Sequence, residues 1–370
     1  MKIAIVNTLP VPSGNASVNR FLGYGKELVR MGVAVDVLTS ARCEDCEIEG
    51  VQVISCGNGT SMLGALRKIT KRVRKGGYDA VILISNSLFL IYPLWFACKR
   101  GKVKLLQEKS EFPFVLMKKG LLNLLYAKFY VNTTYKLFDG LIVMTKPLME
   151  YFKDKVSKNC KLFEMPMTVD TDRFSIEKKP SQYGDYIAYC GNMAGNKDGV
   201  MNLIMAFDLA SQKIPEVKLL LIGGSSNKDD WDKIVKTVAD MGNQNIILYG
   251  KASRDEIPVL LKNAKALALA RPSSLQSTGG FPTKLGEYLA TGNPVVVTAV
   301  GDIPQYLNKS NAFVVEPDNN EAFVEAMIKV FADYDKAKSV GLKGQELSQT
   351  MFSAKVQSQR LHEYLKTICE

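Results

Sequence analysis

A single histidine, His362, serves a chain of 370 residues, and it stands close to the C-terminal end. Zinc sites need four ligands, usually drawn from histidine and cysteine. The seven cysteines are scattered singly apart from Cys43 and Cys46, so they read as isolated thiols of a reducing compartment, with no metal site. Long hydrophobic runs are scarce as well. The most apolar region, Ala80 to Cys98, is interrupted by Ser85-Asn86-Ser87 and by Pro93; it reads as a strand followed by a helix, not a membrane span. At the start, Lys2 precedes only Ile3-Ala4-Ile5-Val6, too short for a signal-peptide core and better read as a first strand. A cytoplasmic protein is expected.

Acidic residues are short in the first half. Residues 1–177 hold 26 Lys+Arg against 16 Asp+Glu, about +10, which leaves close to +1 of the total +11 for the remainder. An anionic partner is therefore expected for the first half alone. Much of this charge lies in Met62 to Gly76, where Arg67, Lys68, Lys71, Arg72, Arg74 and Lys75 occur with no acid. Leu63, Leu66, Ile69 and Val73 repeat at helical spacing through the same segment. That pattern is a basic amphipathic helix, either with a solvated face or lying against anionic lipid headgroups. Met117 to Leu137 mixes lysines with Leu, Tyr and Phe in a similar way. No recognised nucleic-acid motif accompanies the charge, and no nucleic-acid partner is expected.

The length fits about two domains, and 46% hydrophobic with 23% charged residues is the balance of a soluble globular chain. The most informative stretch runs from Ala270 to Thr298. An apolar run, Ala264 to Ala270, reads as a buried strand, and small residues up to Gly279-Gly280 form a turn. Pro282 suits the first turn of a helix whose Leu285, Tyr288 and Leu289 share a face; Gly292 closes it and Val295-Val296-Val297 opens the next strand. Strand, glycine turn, helix, strand is an anion-binding geometry, because backbone amides and the helix start converge on the turn. Arg271 and Lys284 flank it, and Glu287 sits one turn on, placed to accept from a sugar diol. The alternative is an ordinary βαβ turn with solvated side chains.

At these residues the chain resembles the donor-nucleotide site of GT-B glycosyltransferases of family 4, a large retaining family. The run from Glu287 to Val296, EYLATGNPVV, is similar to the second half of the family's two-glutamate signature, while the first Glu falls on Gly279. The nearest pattern is the subgroup with P-x-K-x-x-E-Y, carried here by Pro282, Lys284, Glu287 and Tyr288. The resemblance extends to Gly191-Asn192 and Lys197, where family members carry Gly-Arg and Lys; Asn192 replaces the Arg, and Arg271 is the candidate to compensate. It further implies nucleobase contacts near Lys251, amides from Gly279, Gly280 and Phe281, and a loop at Gly14 and Asn15 facing the diphosphate. Lys102 to Gln107 reads as a strand, and in the segment after its C-terminal end Glu108 and Glu111 stand, on the acceptor side, where many members have a His. Asp170-Thr171-Asp172 is a DxD string, but it falls in the interdomain connection and is not read as a metal site.

The expectation is an α/β GT-B fold, two Rossmann-like domains facing a cleft. Residues 1–174 would be the acceptor side and 175–350 the donor-binding domain. Residues 351–370 would form a helix packing back onto the first domain. The resemblance implies transfer, with retention, from a UDP- or GDP-sugar to a polysaccharide or lipid-linked glycan. It would proceed without metal or other cofactor, on the inner membrane face. Lys197 and Lys284 would stabilise the leaving diphosphate. Two alternatives stay open: another GT-B enzyme such as a UDP-sugar 2-epimerase, disfavoured by the lone His362, and a non-catalytic nucleotide-binding or scaffold partner.

Overall fold

Short runs that are apolar on both faces, such as Ile3-Ala4-Ile5-Val6, alternate with helical segments along the chain, the condition for parallel sheets covered by helices. The computed structural model describes residues 1–113 and 121–370. These divide into two units, Met1–Thr168 with Ala354–Glu370, and Val169–Ser353.

The first unit is built from β1 (Lys2–Asn7), α1 (Ala16–Arg30), β2 (Ala34–Thr39), β3 (Cys46–Ile48), β4 (Val51–Ser55), α2 (Met62–Lys75), β5 (Ala80–Ile84), α3 (Leu88–Gly101), β6 (Lys104–Lys109), α4 (Leu121–Thr133), β7 (Gly140–Val143), α5 (Lys146–Lys153) and β8 (Lys161–Glu164). Its sheet runs β3-β4-β2-β1-β5-β6-β7-β8, with β3 alone antiparallel. The second unit contains β9 (Tyr186–Asn192), α6 (Val200–Ser211), β10 (Lys218–Gly224), α7 (Lys228–Met241), β11 (Ile246–Gly250), α8 (Glu256–Asn263), β12 (Ala266–Leu269), α9 (Leu275–Gly279), α10 (Thr283–Ala290), β13 (Val295–Thr298), α11 (Ile303–Tyr306), β14 (Phe313–Val315), α12 (Asn320–Ala332) and α13 (Tyr334–Thr350). All its strands are parallel, in the order β11-β10-β9-β12-β13-β14. The chain winds outward from β9, then returns to β12 and winds the other way. The point between β9 and β12 is thus the topological switch, where ligands of doubly wound sheets sit beyond the strand ends.

The last helix, α14 (Ala354–Cys369), returns to the first unit as expected. Its Leu361, Leu365 and Ile368 join the core of Ile3, Ile5 and Phe21. The Tyr364 ring stacks on Phe163 at 4.5 Å, and its hydroxyl donates to the Lys161 carbonyl at 2.6 Å.

Several local expectations need correction. Pro282 is the N-cap of α10, not a residue of its first turn. The glycine turn before it contains the short helix α9, because Ser274 and Ser277 form a reciprocal capping box. Strand β6 continues to Lys109, so Glu108 lies within the strand and not in the loop beyond it. Leu63 is 57% exposed, whereas Ala65, Ile69 and Val73 form the buried face of α2; an apolar residue in the first turn lies beyond the surface that the helix packs on. Of the Met117–Leu137 helical reading, Met117 to Gly120 lie outside the described residues.

Candidate active site at the β9–β12 switch point

Strand β9 ends in Gly191-Asn192, and the loop to α6 carries Lys197 and Asp198. Gly199 has a φ of 65°, and a Cβ there would overlap the Ala270 carbonyl oxygen. A side chain at that position would push the loop off the end of β12; glycine lets the two segments touch. Arg271, directly beyond this contact, is 1% exposed, and its Nε donates to the Lys197 carbonyl at 3.2 Å. Its Nε also lies 3.5 Å from Asp198 Oδ1.

From the other side comes α10. Tyr288 fixes that helix against β9: its hydroxyl accepts from the Cys190 amide at 2.7 Å. One turn earlier, Lys284 reaches across the strand end, where its ammonium is ion-paired with Asp198 Oδ2 and donates to the Tyr189 hydroxyl at 3.0 Å. It passes directly over Gly191, where a Cβ would stand 2.6 Å from Nζ and 2.7 Å from Cε. Burial lowers the Lys284 pKa, while Asp198 opposes the shift. Burial raises the pKa of Asp198, but Lys284, then Arg271 and Lys197, outweigh it and hold the carboxyl below its ordinary value. Each partner thus favours the charged form of the other. Lys284, Arg271 and Lys197 thus surround a single carboxylate, an arrangement with surplus positive charge at a strand end.

The structure brings together Gly191, Lys197, Arg271 and Lys284, as expected from the sequence. Asp198 and Tyr189, which link them, were not anticipated. Asn192 serves its own loop: its side-chain oxygen accepts from the Ala194 and Ser226 amides at 3.2 and 3.1 Å. Glu287 does not stand open for a diol. It forms an ion pair with Arg173 at 3.3 Å, and Arg173 also donates to the Arg254 carbonyl at 2.6 Å. Burial raises the Glu287 pKa, with Arg173 and Lys284 acting against it. Gly279, Gly280 and Phe281 are buried ahead of α10, and the Phe281 ring packs against Tyr306 and Phe352 at 5.7 and 5.5 Å. Lys251 is exposed just past β11, at the C-terminal edge of the same sheet.

The remaining candidates belong to the first unit. Asn15 caps α1, its side chain accepting from the Ser17 amide at 3.0 Å, and Gly14 precedes it with open space where a Cβ would stand. Glu108 is engaged at both oxygens, by Arg20 Nε at 2.6 Å and the Tyr24 hydroxyl at 3.1 Å. Glu111 lies past the end of β6. Its neighbour Lys109 was overlooked in the sequence: 3% exposed, it donates to Asn86 Oδ1, and burial lowers its pKa to about 7. Among the described residues, no three of His, Cys, Asp and Glu cluster as metal ligands, and no helix is long and apolar enough to cross a membrane.

Residues 184–333, which hold Gly191, Lys197, Asp198, Arg271 and Lys284, match the family model described as glycosyl transferases group 1. That segment is similar to the group 1 glycosyl transferases. A trehalose synthase of Pyrococcus horikoshii is 29% identical over 153 residues, 40% of this chain and 36% of that protein. The aligned part thus spans about a third of the length of this curated relative. Solved structures extend the likeness over nearly the full chain. Sucrose-phosphate synthase from Thermosynechococcus elongatus superimposes with a TM-score of 0.75 at 17% identity, covering 99% of this chain and 98% of that one. A glycosyltransferase from Rickettsia africae gives 0.76 at 18%, covering 100% and 98%. Anabaena HepE, solved with UDP-glucose, gives 0.75 at 16%, covering 99% and 100%. The fold is therefore the GT-B fold of these structures, two Rossmann-like α/β halves.

Proposed function

We propose that this protein is a retaining glycosyltransferase moving a sugar from a UDP- or GDP-sugar to a hydroxyl of a polysaccharide or lipid-linked glycan. The observation that carries this is the convergence of Lys284, Arg271 and Lys197 at the β9–β12 switch point, inside the segment that matches the group 1 glycosyl transferases. The UDP-glucose complex of HepE supports the donor class.

The chemistry asked of such a site is leaving-group stabilisation. As the anomeric C–O bond breaks, charge grows on the diphosphate, and cations already in place lower the barrier by about 2–4 kcal/mol for a principal donor, by the scale of oxyanion-hole deletions. Lys284, Arg271 and Lys197 supply that charge in this reading, with the amides of Gly279, Gly280 and Phe281 beside the start of α10. No metal is required. Glu287, held by Arg173, takes the ribose hydroxyls by exchanging part of that ion pair. Gly191 and Lys251 border the nucleotide. Glu111 is the acceptor-side carboxylate, while Glu108 acts indirectly by holding Arg20, which donates to the carbonyls of Met165 and Pro166.

The second partner is an anionic membrane surface on the cytoplasmic side. Arg67, Lys68, Lys71, Arg72, Arg74 and Lys75 are all exposed on α2, beside Met62 and Leu63 at 67% and 57% exposure. Basic charge with exposed apolar residues is the composition of an interfacial helix.

The test is nucleoside diphosphate release from a panel of UDP- and GDP-sugars in the presence of lipid-linked or oligosaccharide acceptors, with and without EDTA. Proton NMR of the product gives the anomeric configuration. Acceptor-dependent release that EDTA leaves unchanged, with a retained anomer, supports the reading. An inverted product removes the stereochemical part, and loss in EDTA removes the metal-free part. Binding without turnover on any acceptor favours a non-catalytic partner instead.

A further inference from the structure

We propose that Asp198 and Tyr189 form a fixed socket for Lys284, a positioning device that reserves one N–H of its ammonium for the donor diphosphate. The proposal rests on the donor-site reading above and adds to it the residues that aim its cation.

An ammonium has three N–H groups. In Lys284 one meets Asp198 Oδ2 and one meets the Tyr189 hydroxyl at 3.0 Å. The Tyr189 hydroxyl spends its own proton on the Asn192 carbonyl, also at 3.0 Å, so it presents a lone pair to Lys284. Asp198 is held in turn by Arg271 Nε at 3.5 Å. With two N–H directions fixed, tetrahedral geometry fixes the third. A flexible lysine thereby becomes a directed donor before the substrate arrives, and reorganisation at the moment of bond cleavage is avoided.

The socket has an electrical consequence. The groups facing Lys284 are Asp198 and Lys197 from the loop after β9, Tyr189 and Cys190 from β9, Arg271 beyond β12, and Glu287 on α10 itself. Burial and Arg271 favour the neutral amine, whereas Asp198 favours the cation. Without the Asp198 charge, Lys284 would give up its proton closer to neutrality and the diphosphate would lose a counter-charge at alkaline pH.

The experiment is calorimetric titration of UDP, GDP, inorganic pyrophosphate and the matching nucleosides at pH 6.5 and pH 9. It compares wild type, Asp198→Asn, Asp198→Glu, Lys284→Met and the Asp198→Asn/Lys284→Met pair. The expected result is that Asp198→Asn weakens diphosphate binding at least tenfold at pH 9 and less at pH 6.5, with nucleoside affinity unchanged. Asp198→Glu recovers most of the loss, and Asp198→Asn costs nothing further on the Lys284→Met background. Equal or tighter diphosphate binding by Asp198→Asn at both pH values overturns the proposal, as does an undiminished loss on the Lys284→Met background. If Asp198→Asn does not fold, Tyr189→Phe decides: diphosphate binding weakened threefold or more supports the socket, and unchanged binding overturns it. Wild type that binds no diphosphate overturns the donor-site reading and the socket with it, a result distinct from failure of the variants alone.

Discussion

Lys284→Met separates the chemistry of the site from its architecture. Methionine keeps most of the aliphatic reach over Gly191 while deleting the charge. The variant does not strand a lone buried carboxylate, because Asp198 keeps Arg271 at 3.5 Å. Its cost in stability is therefore about 1–2 kcal/mol, a lost charge-assisted bond, below the ~3–5 kcal/mol of a broken buried pair with no second partner. In a unit of this size that corresponds to a fall of roughly 2–8 °C in Tm. Catalysis is expected to suffer more. Removing one preorganised donor to a leaving group costs ~2–4 kcal/mol, a decrease in kcat/KM of roughly 30- to 1000-fold. Coupled detection of nucleoside diphosphate release, with the donor varied at saturating acceptor, measures it. If Lys284→Met folds and keeps kcat/KM within threefold of wild type, Lys284 does not bear on the leaving group and the reading of this site is wrong.

Other consequences follow from the same structure. Lys109 has a folded pKa of about 7 against an ordinary 10.5, so between these values the unfolded chain binds more protons. Stability should rise with pH across that window by up to about 1.4 kcal/mol per unit, and the penalty should be complete below it; chemical denaturation at pH 7, 8 and 9 of wild type and Lys109→Met checks it, and equal slopes contradict it. Tyr288→Phe leaves the buried Cys190 amide without the hydroxyl that it meets at 2.7 Å, at an expected cost of about 1–3 kcal/mol; a thermal midpoint unchanged from wild type contradicts that. Replacing Arg67, Lys68, Lys71, Arg72, Arg74 and Lys75 by glutamine removes charges worth about 1 kcal/mol each near an anionic surface. Sedimentation with phosphatidylserine vesicles at low salt should lose the protein, while equal binding to neutral vesicles by wild type would dismiss the membrane contact.

The layout of both sheets was legible because their strands are short, continuously apolar and separated by helical periodicity. The segment from Ala266 to Thr298 is the clearest case, since strand, helix and strand follow within 33 residues. What escaped were elements and contacts without a local signature. Helix α13 buries mainly small residues, Ala337, Gly341, Gly344 and Ser348, and such a face shows no apolar stripe. Asp198 reads in sequence as one more polar residue of a turn, and only folding brings it against Lys284, 86 residues further along the chain. The Arg173–Glu287 pair spans 114 residues for the same reason. Lys109 was hidden by the misplaced end of β6, which assigned its neighbourhood to a loop. Sequence pattern thus located the cations of the site, while the groups that aim them became visible only in three dimensions.

The central claim is that the β9–β12 switch point binds a nucleoside diphosphate through these cations. Its most direct test is a thermal-shift titration of the wild type and Lys284→Met with UDP, GDP and ADP, each with and without its glucosyl or mannosyl group. At a hundred times its dissociation constant, a ligand of the folded state adds about 2.7 kcal/mol, equivalent to a rise of roughly 5–10 °C for a unit of this size. The account predicts such a rise with UDP or GDP and its largely complete loss in Lys284→Met. No shift with any nucleotide, or a shift that Lys284→Met keeps in full, would contradict it.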